Sequence, residues 1–390
     1  MRRPARRTLV PALAAGILLA AGCAPSTRII YRPEEVREAL HERRPDLPVE
    51  ALDVPFEIPP ELAELARRRT ALASDPRVRL ATLVETVFEV EHDYRSTRPA
   101  DETFRSGRGD CISATSLFIG LSRAAELDTY FVEALGIEDV SAEYDLNVYH
   151  RHVLAAWGAP DRAVLVDFNN IHEDYVRFRV LTDLEAVAHY YNTQGYQALR
   201  SGDLELARER FEIAATLAPG LAWIHNNLGV ALRRLGRVEQ AERALRRAVA
   251  LDPRHAPAHA NLALLLERRG RHEEARQHRD LAERLRRLDP LRLYRDGLRA
   301  QRRGDLAAAA RALRAAVRLS PRFARGWHDL ARVYHEQGDE RRARRAVRRA
   351  LELDPRNRQV RLLARVIDGE DVAGELEPWR REKIGTKAAR

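Results

Sequence analysis

Cys111, His152 and Asp167 are the residues whose types and spacing could support covalent chemistry in this chain. A thiolate attacks a carbonyl carbon, a histidine takes the thiol proton, and a carboxylate fixes the imidazole tautomer. Cys111 opens an apolar-periodic segment, CISATSLFIGLSRAAEL, with Gly107 and Gly109 as a turn before it and Ser113 and Ser116 tolerating a helix start. The spacing predicts a helix that begins at the cysteine. There the free N–H groups and the helix dipole stabilise a thiolate, and the Cys111 N–H can serve an oxyanion hole. Arg105 and Arg108 add positive charge nearby in sequence. The alternative for Cys111 is a small buried core residue, a common place for a free cysteine.

Three strand-like runs follow, Thr129–Leu135, Asn147–Trp157 and Arg162–Asn169, with the turn signal Gly158-Ala159-Pro160-Asp161 between the last two. With Trp157 opposite Arg162 across that turn, His152 stands opposite Asp167 and His150 opposite Asn169, each pair sharing a face. The alternatives are polar residues on a half-exposed strand and a turn carboxylate. His172, Glu173 and Asp174 lie together, but no further His/Cys set completes a metal site, and no glycine-rich phosphate loop occurs. No metal or cofactor is expected.

Cysteine, histidine and aspartate in this order, on a helix and then two antiparallel strands, resemble the transglutaminase-like superfamily with its papain-like core. The residues that carry the resemblance are GDCISATSLFIGLSRAAEL, HVLAAW and VDFN, within residues 76–187. The resemblance implies an α+β core with Cys111 as nucleophile, His152 as base and Asp167 as orienter. His152 is preferred to His150 because it has both the family spacing and the register with Asp167. The superfamily holds transglutaminases, peptidases, amidases and members without activity. The chain departs from it at Leu154, where an aromatic often stands.

Other elements must hold these residues in place. Residues 77–94 read as a helix leading into the core, followed by a loop that ends in RSGRGDC. Residues 23–75 are rich in proline and charge, and read as an extended tether that turns helical from about Pro60 to Ala73. After the core, Gly202, Gly236, Gly270, Gly304 and Gly338 recur every 34 residues. Ala207, Ala241, Ala275, Ala309 and Ala343 keep step with them, as do Pro219, Pro253, Pro321 and Pro355, with Arg287 in the remaining proline slot. Glycine stops a helix in a left-handed cap, proline opens the next unit, and small residues let paired helices approach. This pattern resembles the tetratricopeptide (TPR) repeat, and it predicts five helix–turn–helix units, 188–221, 222–255, 256–289, 290–323 and 324–357. Residues 358–368 read as a capping helix before a mobile tail. The resemblance implies a groove that takes a protein or peptide segment. Asn227 and Asn261 share one slot, where they either bond a ligand backbone or satisfy polar groups between helices.

The N-terminus places the whole chain. Arg2, Arg3, Arg6 and Arg7 precede an uncharged apolar run from Leu9 to Ala21, too short for a spanning helix, which then reaches Gly22-Cys23. This resembles a bacterial lipoprotein signal with Cys23 as the lipidated residue, although Ala20 stands where leucine is usual; the alternative is a plain secretory signal with an incidental cysteine. Ala24 resembles an outer-membrane sorting residue, and the resemblance implies a lipid-anchored chain in the cell envelope, facing the periplasm.

The 390 residues carry 67 Lys+Arg and 58 Asp+Glu, a formal +9 that becomes +5 when residues 1–22, with four arginines and no acid, are removed. The arginines are interleaved with acids and lack an aromatic stripe, so nucleic acid is not an expected partner. Two cysteines exclude a disulfide scaffold. Two functions follow. One is a lipid-anchored cysteine acyl-transfer enzyme, hydrolysing a peptide or amide through a thioester on Cys111, with the repeats recruiting the substrate. The other is an inactive TPR adaptor for envelope protein assembly.

Overall fold

The computed structural model describes residues 28–47, 52–93, 96–143, 146–160, 162–168, 177–355 and 357–370. Cys23, the hydrophobic N-terminal run, the His172–Asp174 cluster and the tail beyond Trp379 lie outside them.

The stretch expected as a tether instead forms structure and joins the core. Helix α1 (Pro33–Arg43) starts with Pro33, whose fixed φ suits a first turn, and Glu35 accepts from the Arg32 N–H. Its Val36 and Leu40 are buried with Leu52, Val54 and Phe56. Arg43 donates to the carbonyls of Thr216 and Leu217, far along the chain. The proline and charge content masked these few apolar anchors. Helix α2 (Pro60–Thr70) falls where expected, and α3 (Pro76–Phe88) stops short of residue 94. The two-residue strand β1 (Glu91–His92) pairs in parallel with β2 (Arg108–Gly109). Between them lies the short helix α4 (Ala100–Ser106), where a loop was expected; acids open it and Arg105 closes it, which suits the helix dipole.

Helix α5 (Cys111–Ala124) packs against a four-stranded antiparallel sheet of order β5-β4-β3-β6. The strands are β3 (Thr129–Glu143), β4 (Leu146–Trp157), β5 (Val164–Val166) and β6 (Arg177–Val180). Leu117, Phe118 and Ile119 of α5 share a core with Phe131, Val153 and Ala155, alternate residues of one sheet face. β3 is much longer than the expected strand, and β6 had no signal in the sequence reading. Trp157 pairs with Val164 and Ala155 with Val166, so the β4–β5 register is displaced by two residues from the expected one. The connection is longer than Gly158–Asp161, but a shift of two leaves every side chain on the same face.

The remaining chain forms helical pairs. They are α6 (Asp183–Ser201) with α7 (Leu204–Leu217), α8 (Ala222–Arg234) with α9 (Val238–Leu251), and α10 (Ala256–Arg268) with α11 (His272–Arg287). Then come α12 (Pro290–Arg302) with α13 (Leu306–Leu319), and α14 (Ala324–Glu336) with α15 (Glu340–Leu353), closed by α16 (Arg358–Ile367). Gly236, at the turn within the second pair, has φ +74°, the left-handed conformation that the period-34 glycines imply. Gly229 lets α8 approach α9, since a Cβ there would sit 2.7 Å from Leu245 Cγ.

A second periodic bond holds the units. The ring nitrogens of His225, His259 and Trp327 each donate to the carbonyl of the proline six residues back, Pro219, Pro253 and Pro321, at 3.0, 3.1 and 3.0 Å. In the fourth unit Arg287 replaces the proline and Leu293 replaces the ring, so donor and partner residue change together. The apolar core divides at the same place, one cluster ending at Ala275 and another beginning at Tyr294. The interior strand β4 lies against α6, α8 and α10, the first helices of three consecutive pairs.

Candidate active site and repeat surface

The sheet and α5 bring the three candidate residues into one neighbourhood. Asp110 caps α5, its carboxylate accepting from the Ser113 N–H at 2.9 Å and the Ser113 hydroxyl at 2.7 Å. Cys111 is therefore the first residue of the helix, as its sequence context implies. His152 Nε2 lies 3.0 Å from Asp167 Oδ1. In the observed register the two are diagonal neighbours across β4 and the chain leaving β5 rather than directly opposite, a separation these side chains still bridge. The His150 side chain and Asn169 lie outside the described residues.

The electrostatics around the thiol differ from the expectation. Part of Cys111 reaches the surface, yet burial pushes its thiol well above the ordinary cysteine range, and the charges of Asp110 and Asp167 push it further. The N–H groups of Ile112 and Cys111 act in the opposite sense and are outweighed. Arg105 and Arg108 are engaged by carboxylates, pairing with Asp101 and with Glu91 and Asp93. Among the described residues no hydrogen bond joins Cys111 to His152. His152 presents Nε2 to Asp167.

The sequence reading missed Asp110 as the second carboxylate at the thiol, although an aspartate just before a helix start is an N-cap signal. It also missed the tie between this site and the repeats. The Thr97 hydroxyl donates to Asp110, Gln197 of α6 donates to Thr97 Oγ1 at 2.9 Å, and the Thr97 N–H returns a bond to Gln197 at 3.1 Å.

Asn227 and Asn261 are buried between first helices, not open to a ligand. Asn227 Nδ2 donates to Asn192 at 2.8 Å, Asn226 Nδ2 to Asn227 at 3.2 Å, and Asn261 Nδ2 to Asn226 at 2.8 Å. The amides form a ladder between successive units, which is the second of the two roles read from their slot. The ladder stops at Asn261, whose Oδ1 has no hydrogen-bond partner among the described residues, at the same junction where the proline–ring bond is lost. Asn227→Ala removes partners from both Asn192 and Asn226 in a dry interior, so a loss of about 2–4 kcal/mol is expected. Urea unfolding followed by circular dichroism measures it, and a loss below about 1 kcal/mol contradicts the ladder.

Residues 193–359 match the family model described as the Cilia and flagella-associated protein 70 C-terminal domain. No curated protein matches the chain. Among solved structures, the crystal structure of MamA protein is 21% identical, with 43% of this chain and 92% of that one covered and a TM-score of 0.25. YrrB, titled a TPR protein with an unusual peptide-binding site, is 16% identical over 45% of this chain and 90% of its own, with a TM-score of 0.25. The structure titled for pilF of Pseudomonas aeruginosa is 21% identical over 51% and 92%, with a TM-score of 0.26. The C-terminal half of the chain is a TPR-type array.

Proposed function

We propose that the protein is an interaction scaffold whose TPR array recruits a protein or peptide partner. The observation that carries this is the succession of five helical pairs, with first helices α6, α8, α10, α12 and α14. β4 lies against the first three of them, and α12 and α14 are not among the helices it covers there. Stacked units of this kind present an extended surface of fixed shape, suited to a long segment of another chain. The N-terminal pattern ending in Cys23 supports placing the scaffold in the cell envelope, anchored by a lipid, as an adaptor for envelope protein assembly.

A photo-crosslinking residue at the exposed Arg332 on α14 should capture a small set of proteins in the host cell. The same residue at Arg276, on the outer helix α11, should not. Cys111→Ala should leave capture unchanged. Loss of capture with Cys111→Ala, or equal capture from Arg276, overturns the scaffold reading.

One observation favours a second reading, a transglutaminase-like core with acyl-transfer activity. His152 and Asp167 are in contact at 3.0 Å, and the charge of Asp167 reaches Cys111. In that reading the Cys111 proton passes to the His152 imidazole as sulfur attacks an amide carbonyl. The amine leaves with that proton, and water then hydrolyses the thioester.

A further inference from the structure

We propose that the outer face of the fourth and fifth repeats docks on an anionic phospholipid bilayer. Arg311, Arg314 and Arg318 follow one another along α13, and Arg341, Arg345 and Arg348 along α15. Steps of three and four residues place each set on one face of its helix. All six are exposed, and none has a side-chain ion pair or hydrogen bond among the described residues. Arg311 and Arg345 fill the same slot of consecutive units, as do Arg314 and Arg348, so the two rows run in register.

In the earlier repeats acids are interleaved with the arginines, although Arg243 of α9, in the slot of Arg311 and Arg345, is likewise exposed. There Arg208 pairs with Glu205 and Glu212, and Arg246 with Glu242 and Glu274. α13 contains no acidic residue. The acids of α15, Glu340 and Glu352, stand at its two ends and pair with His335 and Arg349. The outer side of the fourth and fifth units therefore carries an excess of exposed positive charge.

The surroundings of the arginines identify the occupant. Between them lie alanines, and neither helix contributes an aromatic residue. A specific protein interface needs an apolar or aromatic centre, and single-stranded nucleic acid needs rings to stack on. A bilayer with anionic headgroups needs neither, because mobile headgroups gather beneath a broad basic surface without a fixed register. Leu319 is 42% exposed beside Arg318, an apolar side chain placed to enter the interface.

The test is cosedimentation of the full chain, produced without lipid, with vesicles of phosphatidylcholine alone or containing phosphatidylglycerol. Binding should require the anionic lipid and fall with salt, since exposed charges are screened. The variant Arg311→Glu/Arg314→Glu/Arg345→Glu/Arg348→Glu should bind at least a hundredfold more weakly, because each surface arginine contributes on the order of fivefold. A control with the same change in net charge, Arg67→Glu/Arg68→Glu/Arg254→Glu/Arg268→Glu, should bind nearly as the unmodified chain does. Circular dichroism checks folding, and the quadruple alanine variant serves if the glutamates disturb α13 or α15. Equal loss in the control, or binding to neutral vesicles that matches the anionic ones, overturns the proposal. So does patch-dependent binding to duplex DNA or polyglutamate without vesicle binding.

Discussion

Asp183→Ala is expected to lower the stability of the chain by about 3–5 kcal/mol, the range for removing one partner of a buried ion pair. The Asp183 side chain is fully buried at the start of α6. Its oxygens take a two-pronged contact from Arg123 at 2.7 and 2.9 Å, and Oδ2 also accepts from the Tyr31 N–H at 2.8 Å. Arg123 stands in the last turn of α5, donates to the Thr129 carbonyl, and lies over the ring of Phe56. One carboxylate therefore joins the N-terminal segment, the helix that carries Cys111, the first residue of β3 and the first helix of the array. Alanine leaves a largely buried guanidinium and the Tyr31 N–H without their partner, and removes a negative charge from a helix N-terminus. Asp183→Asn keeps the shape and one acceptor oxygen, so it should cost less. Urea denaturation followed separately by far-ultraviolet circular dichroism and tryptophan fluorescence gives the loss. A loss below about 1 kcal/mol for the alanine variant would mean that the network does not hold these elements together.

How much of this was legible in the sequence depends on the range of the signal. The repeats were readable because each unit needs a left-handed turn and close helix approach, and glycine and alanine meet those needs locally. The proline–ring bond was missed because its donor changes type, His225, His259 and then Trp327, while its acceptor is a backbone carbonyl that no side chain marks. Its joint loss at Arg287 and Leu293 shows that the odd proline replacement was structural information. α1 was hidden because Val36 and Leu40 face distant partners on α7, which no local pattern reveals. The proximity of His152 and Asp167 survived an error in register because alternation in a strand has a period of two. The acidity around Cys111 was not legible. Arg105 and Arg108 are near it in sequence, but each turns to carboxylates on the helix or strand beside it.

Native Cys111 is expected to react with iodoacetamide at pH 7.5 on the order of a hundredfold or more slowly than the same cysteine in the urea-unfolded chain. Only the thiolate reacts, and here burial comes first among the causes that disfavour it, followed by Asp110 and Asp167. Asp110→Asn keeps a good helix cap while removing the nearest negative charge, so it should speed alkylation without unfolding α5. The sign of the linked stability follows. The folded thiol titrates above its unfolded value of about 8.5, so its contribution is fully present below that pH and is lost as pH rises toward the folded value. Tyr190, Tyr191 and Tyr294 are raised in the same direction, each mainly by burial, so alkaline destabilisation should remain, though reduced, in Cys111→Ala. Mass-spectrometric alkylation rates between pH 6 and pH 10 separate the two functional readings. A slow rate that climbs across the whole range describes a neutral thiol, which any acyl transfer would have to deprotonate through His152 at each turnover. A native rate at pH 7.5 equal to or above that of the unfolded chain would instead mean a thiolate already formed beside His152. That result would overturn the electrostatic account and make acyl transfer the leading function.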